Sequence, residues 1–361
     1  MHVVTYHFGS GGVAPELTVH RTPRVTSYRR LGPGPTYAKL ALLDPLLATK
    51  LRQVLRRHRV DIIHAHHFEG LLVAQAARLG TGIPVVFDTH TMLTSELPLY
   101  DLGLPVRAKR FIAAVLDRRL PVLADHVVTV TDRIRERLLQ LTAISEQGVT
   151  VVRNGADLHL FGQRNARMVG STSRSPTLIF TGNLAPYQGI ELMLRAFRKV
   201  LDRRSDVRLR IITDSSFDGY DQFARDLGIR GAIDVLQVPF DQIPRQLADA
   251  TVAMNPRTDC DGIPVKLLNY MAAGIPVVSF SGSAPGLRHG ETGWLVPDGD
   301  IDGFAEGALT LIGDVAMADA LGTAARSFVE THHNWDRSAE MLEDIFRRVI
   351  ERRSGSRRGM S

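Results

Sequence analysis

A single cysteine, Cys260, occurs in 361 residues, so no intrachain disulfide can form. A lone thiol fits a reducing compartment, and at its place in the chain it reads as a small buried residue rather than a nucleophile. Long apolar runs are also missing: none reaches the roughly 18 uncharged residues needed to cross a bilayer. No signal peptide is evident at the N-terminus, and together these absences predict a cytoplasmic protein. Lysine is scarce. Of 44 cationic side chains only Lys39, Lys50, Lys109, Lys199 and Lys266 are lysines, against 38 acids and a net charge of +6. Such a balance invites a nucleic-acid reading, but aromatics are only 6% of the chain. No groove-reading motif or basic stretch interleaved with aromatics accompanies the charge, so no nucleic-acid partner is expected. The arginine bias reads as composition first and as phosphate or acidic-lipid affinity second. No Gly-x-Gly-x-x-Gly opens a helix, which argues against a nicotinamide dehydrogenase.

What is present is an alternation of strand-like and helix-like segments from end to end, the pattern of parallel sheets covered by helices. Apolar runs at 60–63, 84–87, 126–130 and 149–152 are expected strands, with helices at 69–79, 107–120 and 132–142. The polar stretch 162–176 reads as a linker. A second alternating unit follows, with strands at 177–182, 207–213, 232–236, 251–254 and 276–280 and helices at 188–202, 220–228, 243–249 and 264–273. The expected organisation is therefore an N-terminal domain 1–161, a linker 162–176, a C-terminal domain 177–334, a closing amphipathic helix 335–351 and a disordered tail 352–361. Helix 107–120 mixes basic and apolar residues at helical spacing. Such helices can lie on anionic membranes, but the expected role of the apolar face is to pack on the sheet, with the arginines solvated.

Two loops carry the chemistry. In residues 262–278, Gly-Ile-Pro-Val-Lys-Leu-Leu-Asn-Tyr-Met-Ala-Ala-Gly-Ile-Pro-Val-Val, a helix is expected to start near Pro264 and to stop at Gly274, where a left-handed cap suits glycine. Lys266 and Asn269 then lie near a helix N-terminus, which favours an anion. A solvated lysine on an ordinary loop–helix–strand unit is the competing reading. Residues 180–190, Phe-Thr-Gly-Asn-Leu-Ala-Pro-Tyr-Gln-Gly-Ile, form a strand, a tight turn at Gly182 and a helix opening at Gly189, again compatible with phosphate. In the first half, His64-Ala65-His66-His67 and Phe87-Asp88-Thr89-His90 each end an expected strand, and Glu96 follows. The spacing of the three histidines along one strand end lacks a clear ligand set, so no metal is expected there.

These segments resemble the large retaining glycosyltransferase family 4. The C-terminal signature of that family has two glutamates separated by seven residues, then a helix of the form x-x-Met-Ala-x-Gly-x-Pro-Val. Here Asp261 and Asn269 stand at the two acidic positions. The family's Gly-Arg-Leu-x-x-x-Lys-Gly becomes Gly182-Asn183-Leu184-Ala-Pro-Tyr-Gln188-Gly189, so both of its diphosphate-binding cations are replaced. The segment Gly290-Glu-Thr-Gly-Trp-Leu-Val296 matches its Gly-x-Thr-Gly-x-Leu-Val turn and strand. The resemblance implies the α/β fold called GT-B, two Rossmann-like domains facing a cleft, with the helix after Trp335 returning to the first. It also implies retention of configuration, with no dedicated nucleophile and the donor's leaving phosphate acting as base. Donor-binding residues are then Gly182, Asn183, Gln188, Arg257, Lys266, Leu267 and Asn269. Arg257 and Lys266 supply the lost charge, Asn269 meets the ribose and Asp261 orients the donor sugar. His90 meets the reacting sugar, and His66, His67 and Glu96 lie on the acceptor side.

Family members carry a strand, a Gly-rich turn and a long helix ahead of the strand that Met1-His-Val-Val-Thr-Tyr-His resembles. That first βα unit is missing here, and Gly9-Ser10-Gly11-Gly12 follows the wrong element to replace it. A start upstream of Met1 is the favoured account, and a divergent or inactive variant the other. Asp259-Cys260-Asp261 has an Asp-x-Asp form but precedes a helix, so metal-independent transfer with no cofactor is expected. The expected function is that of a glycosyltransferase using a nucleotide-diphospho-sugar and a lipid, glycan or small-molecule acceptor in cell-envelope or polysaccharide synthesis. It is expected in the cytoplasm, with peripheral contact at the inner face of the plasma membrane. A nucleotide-sugar epimerase or hydrolase, or a non-catalytic nucleotide-sugar binder, is the alternative.

Overall fold

The computed structural model describes residues 1–9, 14–28, 34–161 and 175–358. Most of the expected linker, residues 10–12 of the early glycine-rich stretch and the last three residues lie outside this set. The chain forms two compact units, Met1–Val152 with Glu340–Ser361, and Arg153–Ala339.

In the first unit β1 (His2–Thr5) pairs in parallel with β2 (Thr18–Arg21) as a separate two-stranded sheet. A short π-helical turn, Lys39–Leu43, leads into α1 (Asp44–Arg57), and then β3 (Ile63–His66), α2 (His67–Ala77), β4 (Val85–Thr89), α3 (Leu93–Glu96), α4 (Val106–Arg119), β5 (His126–Thr129), α5 (Asp132–Leu141) and β6 (Val149–Val151) follow. Strands β3-β4-β5-β6 form one parallel sheet. Every residue of β4 is buried, as expected for a strand covered on both faces. One face packs Ile63, Phe87 and Val127 against Leu71, Ile134 and Leu138 of the helices. The other packs Val86, Val128 and Val152 against Ile345 and Val349 of the last helix. In register, His66 lies opposite Asp88.

The strand and helix that the resemblance places ahead of His2–Thr5 have no counterpart among the described residues, and the two sheets of this unit stay apart. A cavity of about 1030 Å³ is lined by Val3 and Val4 of β1, Leu51 and Val54 of α1, and Ile63 and Ala65 of β3. Each of these two strands has a partner on one side only in its sheet. Polar groups also reach this wall: the Tyr6 hydroxyl donates to Asp44 Oδ1 at 2.5 Å, and Lys39 Nζ pairs with Glu69 at 3.4 Å.

The second unit runs α6 (Leu158–Phe161), β7 (Thr177–Thr181), α7 (Ile190–Arg203), β8 (Arg208–Ile212), α8 (Asp218–Asp226), β9 (Ile233–Leu236), α9 (Ile243–Ala248), β10 (Val252–Asn255), α10 (Val265–Ala272), β11 (Val277–Phe280), β12 (Trp294–Val296), α11 (Ile301–Gly313) and α12 (Val315–His332). Its sheet is parallel throughout, in the order β12-β11-β10-β7-β8-β9. The chain adds β8 and β9 on one side of β7, then crosses to place β10 on the other. That makes β7/β10 the switch point, where the loops after two neighbouring strands diverge and leave a crevice at their carboxyl ends.

Two boundaries differ from expectation. The N-terminal domain was expected to reach 161, but Ala156 and Phe161 are buried with Leu247, Leu268 and Met271 in the core of the second unit. The polar stretch marks a change of composition, whereas the contacts change nine residues earlier, after Val152. The tail from 352 was expected to be disordered, yet α13 (Trp335–Arg358) continues as helix into it as far as Arg358. Arginine is a good helix former and no proline interrupts the run; Arg353 also reaches Asp125 at 3.4 Å.

Candidate active site

In the second unit the site is built on the two switch-point loops. Gly189 has φ of +72°, and a Cβ there would lie 2.1 Å from the Pro256 carbonyl oxygen, so the loop after β7 is in backbone contact with the loop after β10. Only glycine permits both the left-handed backbone and this approach. Gly182, at φ +129°, borders the ammonium of Lys266: a Cβ would stand 3.8 Å from Nζ.

Lys266 is the second residue of α10. Its Nζ donates to Gln188 Oε1 at 2.5 Å and sits 4.0 Å from the centre of the Phe180 ring. Gln188 in turn donates to Asn183 Oδ1 at 3.3 Å, and Asn183 Nδ2 to the Tyr187 hydroxyl at 3.1 Å. Arg257 covers the Tyr187 ring at 5.0 Å and donates to the Asp259 carbonyl at 2.6 Å. One hydrogen-bonded and ring-stacked chain thus joins Lys266, Gln188, Asn183, Tyr187 and Arg257. Burial, aided by the neighbouring Arg257 charge, pulls the Lys266 pKa down to about 7. A buried ammonium in the first turn of α10, beside a guanidinium, makes a place for an anion.

Asn269 is half-buried one turn beyond Lys266 on α10, and Asp261 is buried in the loop ahead of it. Leu267 lies in the first turn of α10. Its side chain is fully buried among Ile179, Met271 and their neighbours, and its N–H is bonded to the Pro264 carbonyl, so it supports α10 from below and offers no side chain to a donor.

Two supporting residues carried no sequence signal. Tyr270 is fully buried and its hydroxyl accepts from Thr181 N at 2.7 Å while meeting Thr181 Oγ1 at 3.0 Å, tying α10 to the end of β7. Tyr270→Phe is expected to cost about 1–3 kcal/mol in urea unfolding of this unit, because the Thr181 N–H is left buried without that acceptor. Asn255 donates to Ser279 Oγ at 2.8 Å and Ser283 Oγ at 3.0 Å, and Ser283 Oγ donates to the Arg257 carbonyl, so the Ser281–Gly286 loop braces the Arg257 loop.

In the first unit the carboxyl ends of β3 and β4 gather His64, His66, Asp88 and His90. His66 Nδ1 lies 3.3 Å from His90 Nε2, and the rings are stacked. His67, at φ +57°, holds a left-handed backbone that is costly for a non-glycine residue, and its ring centre is 4.8 Å from that of His90. Burial lowers the pKa of His90 and takes His66 down to about 4. Asp88 is pushed up by burial, but the His64 contact and the nearby imidazoles bring it to a net value below the usual carboxylate range. Glu96 lies apart from this cluster in its bonding, accepting from the Tyr100 hydroxyl at 3.1 Å.

Known proteins carry both halves. Residues 175–314 match the family described as glycosyl transferases group 1, and residues 1–160 match glycosyltransferase family 4. The chain is 27% identical, over 92% of its length and 83% of the relative, to a D-inositol 3-phosphate glycosyltransferase of Kribbella flavida. A protein of the same name from Corynebacterium aurimucosum is 26% identical over 79% of this chain and 71% of its own. Among solved structures, sucrose-phosphate synthase from Thermosynechococcus elongatus superposes with a TM-score of 0.77 at 17% identity, covering 94% of this chain and 85% of that one. Anabaena HepE in complex with UDP and glucose gives 0.67 at 18% identity, covering 91% and 85%. The shared fold is GT-B.

Proposed function

The chain belongs to glycosyltransferase family 4, the group 1 glycosyl transferases, and from that premise we propose that it moves a sugar from a nucleotide-diphospho-sugar to an acceptor hydroxyl with retention. The observation that carries this reading is the Lys266–Arg257 pair at the β7/β10 switch point, two cations linked through Gln188, Asn183 and Tyr187. These cations take the diphosphate and stabilise the charge that develops on it as the glycosidic bond breaks. Asn269 meets the ribose, and Asp261 orients the sugar. The leaving phosphate accepts the acceptor's proton, so no protein nucleophile, cofactor or divalent ion takes part in the step. In the first unit His90 hydrogen-bonds the sugar, while His66, His67 and Glu96 stand on the acceptor side. The names of the curated relatives support a phosphorylated polyol as the first acceptor to try, and the HepE complex supports a UDP-sugar.

The test is incubation of the protein with radiolabelled UDP- and GDP-sugars, with inositol 3-phosphate or membrane lipid, in the presence of EDTA. Labelled acceptor is the expected product. Free sugar alone would make it a hydrolase, donor binding without either product a binding protein, and activity abolished by EDTA and restored by Mn²⁺ would overturn the metal-free step.

Membrane contact at the cytoplasmic face is part of the same proposal, supported by α4. Ala113 and Leu120 at its inner side are buried as expected, but Phe111 is 72% exposed, and Ile112, Val115, Val122 and Leu123 are exposed beside it. Arg107, Arg110, Arg118 and Arg119 are exposed on and next to the same helix. An apolar face flanked by arginines suits anionic lipid. The protein is expected to co-sediment with phosphatidylglycerol vesicles at low salt and not with phosphatidylcholine ones, and Phe111→Asp with Val115→Asp is expected to abolish that binding.

A further inference from the structure

The geometry at the end of β3 and β4 points to a ligand of another kind: we propose that His64, His66 and Asp88 form a binding site for a divalent transition-metal ion of the zinc type, with the fourth position open to solvent or to a small ligand. Zinc takes imidazole nitrogen and carboxylate oxygen at about 2.0–2.2 Å in a tetrahedral shell, which sets neighbouring ligand atoms about 3.3 Å apart. Here His64 Nε2 lies 3.3 Å and His66 Nδ1 3.5 Å from Asp88 Oδ2. His90 Nε2 lies 3.4 Å from Asp88 Oδ1 and 3.3 Å from His66 Nδ1. The ligand atoms of His64, His66 and Asp88 all fall within 4.8 Å of one another.

A second observation points the same way. The Asp88 side chain is only 10% exposed, and its Oδ1 is buried with no hydrogen bond, as is His64 Nε2. Buried polar atoms are almost always satisfied, whereas here His64 Nε2 stands 3.3 Å from Asp88 Oδ2, the spacing of neighbouring ligands in a coordination shell. Two imidazoles and one carboxylate suit zinc or cobalt rather than magnesium or calcium, which take oxygen ligands. The scaffold is rigid: His66 and Asp88 are cross-strand partners in the parallel pair, and the Phe346 ring meets His64 edge-on at 5.3 Å. His90 Nε2 lies 3.3 Å from the His66 Nδ1 that would turn to the metal, and on the function proposed above His90 makes the sugar contact. The metal-loaded and transfer-competent forms therefore exclude one another, and zinc acts as an inhibitor.

The test uses the full chain, stripped of metal and titrated with Co²⁺, with visible absorption as the readout. The expected result is one tetrahedral Co²⁺ band, displaced by Zn²⁺. His64→Gln and Asp88→Asn, checked for an unchanged circular dichroism spectrum, are expected to remove the band and weaken Zn²⁺ binding at least about tenfold. His2, His20 and His58 also bring their ligand atoms within 4.8 Å of one another, on β1, β2 and at the end of α1. His20→Ala is therefore the control and is expected to leave the band intact. A band lost in His20→Ala but kept in the other two variants, or no tetrahedral band at all, would overturn the proposal. Because the spectrum needs no turnover, it reads the metal site whether or not the chain transfers sugar.

Discussion

Lys266→Met is expected to weaken nucleotide-sugar binding by roughly 10- to 150-fold, the equivalent of one charge-assisted hydrogen bond of about 1.5–3 kcal/mol. The argument rests on where the ammonium stands. It is held 2.5 Å from Gln188 Oε1 and over the Phe180 ring, next to the Gly182 turn and within the field of Arg257. The family pattern has an arginine and a lysine where this chain has Asn183 and Gln188. With both gone, Lys266 reaches across from α10 to the amide that replaced one of them. Methionine keeps the length of the stem and its contact with the ring while deleting the charge. Since burial disfavours that charge, the variant is expected to be no less stable than the parent in thermal unfolding. Loss of affinity with retained stability therefore separates a binding role from a structural one. Titration calorimetry with UDP- and GDP-sugars makes the measurement, and an unchanged dissociation constant would reject the diphosphate clamp.

Local punctuation made much of the second unit legible. Pro264 and Gly274 bracket a helix expected over 264–273 and found over Val265–Ala272, with Gly274 left-handed at φ +65°. While β2 (Thr18–Arg21) was not expected at all, apolar runs placed the strands that were expected within one or two residues except β3, expected at 60–63 and found at Ile63–His66. There the polar histidines extend the strand because β4 supplies the ladder, so pairing overrides composition. The pairings themselves were not legible. Nothing in residues 180–190 announces that Gln188 accepts from a lysine 78 positions on. Likewise, the histidines of 64–67 lacked a ligand set along their own strand, and Asp88 and His90 complete the cluster from the neighbouring one, through a register that a single strand does not encode. Leu267 shows the converse limit. It sits inside the motif, but the helical period turns it toward the core, and motif membership says nothing about which face a side chain takes.

Donor affinity is expected to fall as pH rises through about 7, by up to about tenfold per pH unit until about pH 9. The sign follows from the environment of Lys266, whose pKa is lowered from 10.5 to about 7 by burial and by Arg257. Above pH 7 the unliganded pocket holds mostly the neutral amine, and binding a diphosphate must first restore the proton, so affinity drops and proton uptake on binding grows. Stability runs the other way. Between about 7 and 10.5 the unfolded chain, with an ordinary lysine, binds more protons than the folded one, so this group makes the fold more stable as pH increases across that window. Opposite slopes for affinity and stability over one pH range are hard to obtain from a merely solvated lysine, which would titrate near 10.5 in both states. Isothermal titration in buffers of different ionisation enthalpy reads the proton uptake directly. Lys266→Arg is expected to bind donor with no such pH dependence, because a guanidinium keeps its charge throughout. Lys266→Met is expected to bind weakly at every pH and to converge with the parent as the solution becomes alkaline. A parent whose affinity is flat from about pH 6 to 9 would show that the ammonium does not meet the phosphates.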